Sequence, residues 1–142
     1  MSYNNILVAF DGSNLSRKAI SHASALAESS GATLTVLHVY QVPLVNNGDF
    51  MVTLPADWSQ QYMDHSFKVL EEAKALVPGT INATFKLIDG DPANTILDYA
   101  GDNGADLIVL GSRGLGGIRE FVLGSVSHNV MQHAKAPVLI VK

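Results

Sequence analysis

Ile6-Leu7-Val8-Ala9-Phe10-Asp11-Gly12-Ser13 is the stretch on which the reading of this chain turns. Five apolar residues stand in an unbroken run, with no polar residue alternating between them. A strand needs that pattern when both faces of its sheet are covered, since neither face then offers a side chain to water. Asp11-Gly12-Ser13 stops the run with three turn-forming residues. A second run of the same character, Asp106-Leu107-Ile108-Val109-Leu110-Gly111, also ends on glycine.

Helical and extended patterns alternate around these two runs. Leu15, Ala19, Ile20, Ala23, Leu26 and Ala27 recur at helical spacing until Gly31 supplies a stop. Thr33 to Val39 is rich in β-branched residues and reads as a second strand. Tyr62, Val69, Ala73 and Leu76, flanked by Met63, Phe67, Leu70 and Val77, give a wide apolar helical face before Pro78-Gly79. Thr84 to Ile88 is the third strand, and Asp91-Pro92 is a helix start, with aspartate as cap and proline in the first turn. Val126, Val130, Met131 and Ala134 mark a last helix, and Ala136 to Val141 a last strand. The segment Tyr40 to Trp58 fits neither pattern and reads as a long irregular connection, of the kind used as a lid or partner surface.

Strands that are apolar throughout and separated by helices imply right-handed crossovers and a parallel sheet covered on both faces. The expectation is a single doubly wound α/β domain spanning residues 1–142. Its most unusual turns follow the first and fourth strands. If both turns serve one crevice, those strands are neighbours, which favours a five-stranded order 3-2-1-4-5 over 2-1-3-4-5.

Composition narrows the function. The 142 residues are 47% hydrophobic and carry a formal net charge of -4, with nine Lys and Arg scattered along the chain. That argues against a nucleic-acid partner, which requires clustered positive charge. No apolar run reaches the length of a membrane span, and the start lacks a signal-peptide pattern, so a cytoplasmic protein without a membrane partner is expected. The chain has no cysteine, which excludes disulfides and thiolate metal sites. Its five histidines, His22, His38, His65, His128 and His133, show no metal-binding spacing.

The remaining signal is GSRGLGGIREFVLGS, Gly111 to Ser125, with five glycines directly before a helix. Glycine admits close approach of backbone N–H groups to an anion, and a helix start adds unpaired donors and a favourable dipole. Ser125 and Ser127 add hydroxyls, and Arg113 and Arg119 add charge. The P-loop pattern fails, because Gly116 is followed by Gly117-Ile118 where Lys and Ser or Thr are required. The dinucleotide pattern begun at Gly114 reaches Arg119 where its third glycine belongs. Spacing alone leaves two readings open: a phosphate cradle, or an ordinary loop leading to a capped helix.

Gly111-x-x-Gly114, nine residues, then Gly124-Ser125 resembles the Gly-2x-Gly-9x-Gly-Ser/Thr motif of the ATP-binding branch of the universal stress protein family. The likeness extends to Asn4–Ser13, Leu37-His38-Val39, Ala105–Gly114 and Ala136–Val141, and covers nearly the whole chain outside Tyr40–Trp58. It implies the strand order 3-2-1-4-5 and an ATP site. In that site Asp11 would lie near the ribose and adenine, and Ala9 and Val39 would line the adenine pocket, with the Val39 backbone recognising the base. Leu110 and Gly111 would pass beneath the nucleoside. Gly114, Gly124, Ser125, Val126 and Ser127 would hold the phosphates, with Mg2+ or Mn2+ on them. Asp11 and Gly124-Ser125 also have plain roles as a turn brace and a helix cap.

No residue stands out as a catalytic base; Glu120 is the nearest candidate. A nucleotide-dependent regulatory module with at most slow hydrolysis is therefore expected, ahead of a nucleotide-free dimer, an adenylate-using enzyme or a flavin carrier. The last strand, apolar and at a sheet edge, is suited to pair with a second copy, so a homodimer through residues 137–141 is expected.

Overall fold

The computed structural model describes residues 3–41, 44–47, 50–53, 56–113 and 124–142. In chain order the elements are β1 (Asn5–Ala9), α1 (Asn14–Ser30), β2 (Thr33–Tyr40), β3 (Leu44–Asn47), β4 (Phe50–Thr53), α2 (Ala56–Leu76), β5 (Ala83–Asp89), α3 (Pro92–Asp102), β6 (Leu107–Gly111), α4 (Ser125–His133) and β7 (Val138–Val141). Five strands form one sheet in the order β5-β2-β1-β6-β7, and every pairing in it is parallel. Counted along the chain, that order is 3-2-1-4-5, as the two unusual turns predict.

The helix boundaries follow from local chemistry. Ser13 caps α1, its hydroxyl accepting from the Ser16 N–H at 3.2 Å. The same helix ends at Gly31, whose φ of 68° is the left-handed turn that glycine adopts without steric cost. Asp91 caps α3 by accepting from the Asn94 N–H at 3.0 Å, with Pro92 in the first turn.

Strand alternation sorts the core into two layers. Ile6, Val8, Phe10, Leu34, Val36, Leu107 and Val109 face Ala19, Ile20 and Ala23 of α1 and Val69 and Ala73 of α2. Leu7, Leu37, Ile108 and Leu110 face Ile96 and Ala100 of α3 and Val130 of α4. Burying each large aliphatic side chain stabilises the fold by roughly 1.5–3 kcal/mol. Both faces of β1 are therefore covered, which is the physical reason its sequence shows no alternation.

Two expectations need correction. The segment Tyr40–Trp58 is not irregular throughout: β3 and β4 pair antiparallel, with Leu44 opposite Thr53 and Asn47 opposite Phe50, and α2 begins at Ala56. Only Gly48 and Asp49 join the two strands, and a Gly-Asp pair between apolar stretches is a hairpin signal in its own right. The apolar face read along α2 is also only half used. Val69, Leu70 and Ala73 are buried, while Tyr62, Met63, Phe67 and Leu76 stay exposed, so only part of that face packs on the core.

Candidate functional site

The strand order reverses between β1 and β6, which pair directly through Ile6–Leu107, Leu7–Ile108 and Val8–Val109. Crossovers leave these two strands in opposite directions, so their carboxyl ends border a crevice. Asp11 leaves one end and Gly111-Ser112-Arg113 the other.

The first turn is fully braced. Asp11 Oδ1 accepts from the Ser13 N–H at 2.9 Å, and the Asp11 N–H donates to Ser16 Oγ at 3.3 Å. Ser16 Oγ in turn donates to the Ser13 carbonyl at 2.9 Å. Gly12 sits at φ 87°, a conformation that disfavours any side chain, so the chain can turn sharply here and start α1 beside the crevice.

At the second turn, two glycines serve close packing. A Cβ on Gly111 would stand 2.9 Å from Leu15 Cβ and 3.1 Å from the Leu15 carbonyl carbon, so the first turn of α1 can approach only a glycine. A Cβ on Gly124 would stand 3.1 Å from Arg113 Cα. The Gly124 N–H donates to the Ser112 carbonyl at 2.7 Å, so the chain before residue 114 meets the chain after residue 123. Ser127, buried in the first turn of α4, donates its hydroxyl to the Gly111 carbonyl at 2.5 Å. That bond fixes the start of α4 over the end of β6.

The start of α4 differs from the starts of α1 and α3. Its cap is Gly124, and no side chain caps it. The first intrahelical bond is from His128 N–H to Gly124 C=O at 2.8 Å, so the N–H groups of Ser125, Val126 and Ser127 have no acceptor within the helix. Three such donors on the positive end of a helix dipole suit an anion.

Ala9, Val39, Leu110 and Val126 all belong to the apolar layer under α3 and α4, and so share one face at the carboxyl end of the sheet. Asp11 stands on the turn after β1, Gly111 and Arg113 at the end of β6, and Gly124, Ser125 and Ser127 at the start of α4. Gly114, Arg119 and Glu120 lie outside the described residues. Two candidate phosphate donors are already engaged: the Gly124 N–H by Ser112 and the Ser127 hydroxyl by Gly111. Among the described residues no cluster of three or more His, Asp or Glu side chains is placed to hold a metal ion.

One residue of the site has no part in the motif. His38 is buried, with Nδ1 2.8 Å from the Phe10 carbonyl. Burial pulls its pKa below the ordinary 6.5, while the Phe10 carbonyl and the Asp11 carboxylate act the other way and His65 adds to the lowering. Its isolation from other histidines in the sequence gave no sign of this role.

A five-stranded parallel sheet wound in both directions, with a helix start at its switch point that no side chain caps, defines a doubly wound α/β domain as the class of structure. Comparison with known proteins then places the chain. It belongs to the universal stress protein family, whose model matches residues 2–142. It is 39% identical to universal stress protein YxiE of Bacillus subtilis over 148 aligned positions, covering 99% of both chains. Among solved structures it is similar to universal stress protein UspA from Lactobacillus plantarum, with a TM-score of 0.85, 27% identity and coverage of 100% and 99% of the two chains. It is also similar to a universal stress protein crystallised in complex with cAMP, with a TM-score of 0.66, 29% identity and coverage of 100% and 98%.

Proposed function

We propose that this chain is an ATP-binding universal stress protein, a regulatory module whose state or partners change with the bound nucleotide. The observation that carries the reading is the start of α4. Three backbone N–H groups without helical acceptors stand at the switch point, locked to β6 by the Ser127–Gly111 bond. The solved relative in complex with cAMP supports an adenine nucleotide as the ligand class.

In this reading the base lies on the apolar face of Ala9, Val39 and Leu110, with Asp11 near the ribose. Gly111 passes beneath the nucleoside with Leu110. The phosphates meet the N–H groups of Ser125, Val126 and Ser127, with Gly114 of the motif beside them and Arg113 adding charge. Gly124, its own N–H held by Ser112, leaves room for their approach. Mg2+ or Mn2+, if bound with the nucleotide, would be held by its phosphates and would supply charge neutralisation. The protein acts by occupancy, with hydrolysis slow at most, and as a homodimer whose β7 strands pair antiparallel.

The test begins with freshly purified protein. It is denatured, and any released small molecule is identified by chromatography and mass spectrometry. The emptied protein is then titrated with ATP and Mg2+. Recovered ATP, or saturable binding that Gly124→Val abolishes, supports the reading; an empty protein indifferent to ATP would leave a universal stress protein of the nucleotide-free kind.

A further inference from the structure

The ladder between β1 and β2 stops one rung early. Its last pair is Ala9 with Leu37, after which the Phe10 N–H donates to the Leu37 carbonyl at 2.9 Å. In a parallel ladder the next bond runs from the Val39 N–H to the Phe10 carbonyl. Here that carbonyl is taken instead by His38 Nδ1 at 2.8 Å. A carbonyl can only accept, so Nδ1 carries the hydrogen and Nε2 is the bare nitrogen of the neutral ring.

β2 itself does not stop. It stays paired with β5 as far as Tyr40, opposite Asp89. The bonds from Leu34 N–H to Asn82 C=O and from Gly90 N–H to Tyr40 C=O show that even-numbered residues of β2 direct their peptide groups to β5. Thr33 N–H bonds to Asn4 C=O, so odd-numbered residues direct theirs toward β1. Val39 is odd, half-buried and beyond the last rung, so its N–H points to the end of β1, beside Asp11, where the ladder offers it no carbonyl.

We infer that His38 is a positioning residue for this site: with its ring bonded to the Phe10 carbonyl in the place of the next rung, the Val39 N–H is kept out of the sheet and presented as a donor to a ring nitrogen of the bound base. The ligand in this statement rests on the nucleotide reading; the exchange of one hydrogen-bond donor for another does not. The arrangement also divides two tasks. The side chain of His38 holds the strand end together on the α1 and α2 side, while the Val39 side chain packs with the opposite layer.

The test compares wild type with His38→Leu, which removes the donor, and His38→Asn, whose Nδ2 can replace Nδ1. Backbone amide exchange is followed by NMR with and without ATP and Mg2+, and ATP affinity is measured on the same samples. In the wild type without ATP, the Val39 amide exchanges at least about tenfold faster than the Leu37 amide, and ATP slows it. In His38→Leu the Val39 amide closes onto Phe10, becoming protected without ligand, and ATP affinity falls about tenfold. His38→Asn stays within about threefold of wild type in both.

Equal protection of Val39 and Leu37 in the ligand-free wild type would overturn the inference, as would a ring that carries its hydrogen on Nε2. Both readouts need only the wild type, so they stand even if a variant does not fold. Should the wild type ignore ATP, the nucleotide reading fails on its own, and the Val39 exchange contrast between wild type and His38→Leu still decides what His38 does.

Discussion

The two ends of the sheet use the same peptide chemistry to opposite purposes. At the amino end, Asp106 closes every local gap. Its Oδ2 accepts from the Asn4 N–H at 2.7 Å and its Oδ1 from the Asn5 N–H at 3.0 Å. Its own N–H donates to the Asn5 carbonyl at 2.9 Å, and the Asn5 side chain donates to the Asn103 carbonyl at 2.7 Å. At the carboxyl end, α4 begins without a side-chain cap and the β1–β2 ladder ends before the Val39 N–H is used. Donors of the kind that the amino end consumes in stabilising the fold are left without a helix or ladder partner at the carboxyl end, where the proposed nucleotide would meet them.

The largest expected effect breaks the carboxyl end. Gly111→Val must displace the first turn of α1, since both a side-chain and a backbone atom of Leu15 lie too close to any added Cβ. We expect a loss of about 3 kcal/mol in chemical denaturation, with nucleotide binding lost as well. Asp106→Ala breaks the other end instead. It should cost about 1–2 kcal/mol while leaving ATP affinity within about twofold, because only strand-end N–H groups lose an acceptor. A drop in affinity matching that of the Gly111 variant would erase the distinction between the two ends.

The pH dependence follows from His38. Its folded-state pKa lies below 6.5, so the unfolded chain takes up a proton first as the pH falls. Its contribution to stability is present in full above pH 6.5 and declines as the pH drops below it, toward the lowered folded value. Urea midpoints at pH 7.5 and about 5.5 should show this decline in the wild type and a flatter profile in His38→Asn.

The smallest effect sharpens the contrast among glycines. Gly101 lies in α3, with nothing within 4 Å of an added Cβ. Gly101→Ala should raise stability by about 0.5 kcal/mol, by removing the entropic cost of glycine in a helix, and leave binding unchanged. Thermal melts in parallel with ATP titration would check both halves of that statement.

Much of the architecture could be read from patterns of a few residues. The unbroken apolar runs at Ile6–Phe10 and Leu107–Leu110 announced strands covered on both sides, and Asp91-Pro92 and Gly31 marked helix ends correctly. The hairpin at Leu44–Thr53 is hard to read from sequence because its strands are only four residues long and are flanked by Pro43 and Pro55, leaving Gly48-Asp49 as a weak local signal. The exposed half of α2 escaped for a different reason: helical periodicity reports which residues share a face, but not how far the neighbouring sheet extends beneath it.

The site divides in the same way. Gly111, Gly124, Asp11 and the start of α4 were legible as candidates, since each is marked by local backbone geometry or by the motif spacing. Their tasks were not. That Gly111 admits Leu15, that Ser127 ties α4 to the Gly111 carbonyl, and that His38 replaces a rung of the ladder all depend on contacts between residues distant in sequence. Sequence by itself determined the order of the elements that build the main sheet, the burial of both its faces and the place where strand order reverses, because these follow from local periodicity and crossover handedness. Only the tertiary structure decided which peptide groups find partners within the sheet and helices and which do not, because hydrogen-bond partners are assigned when the strands and helices meet.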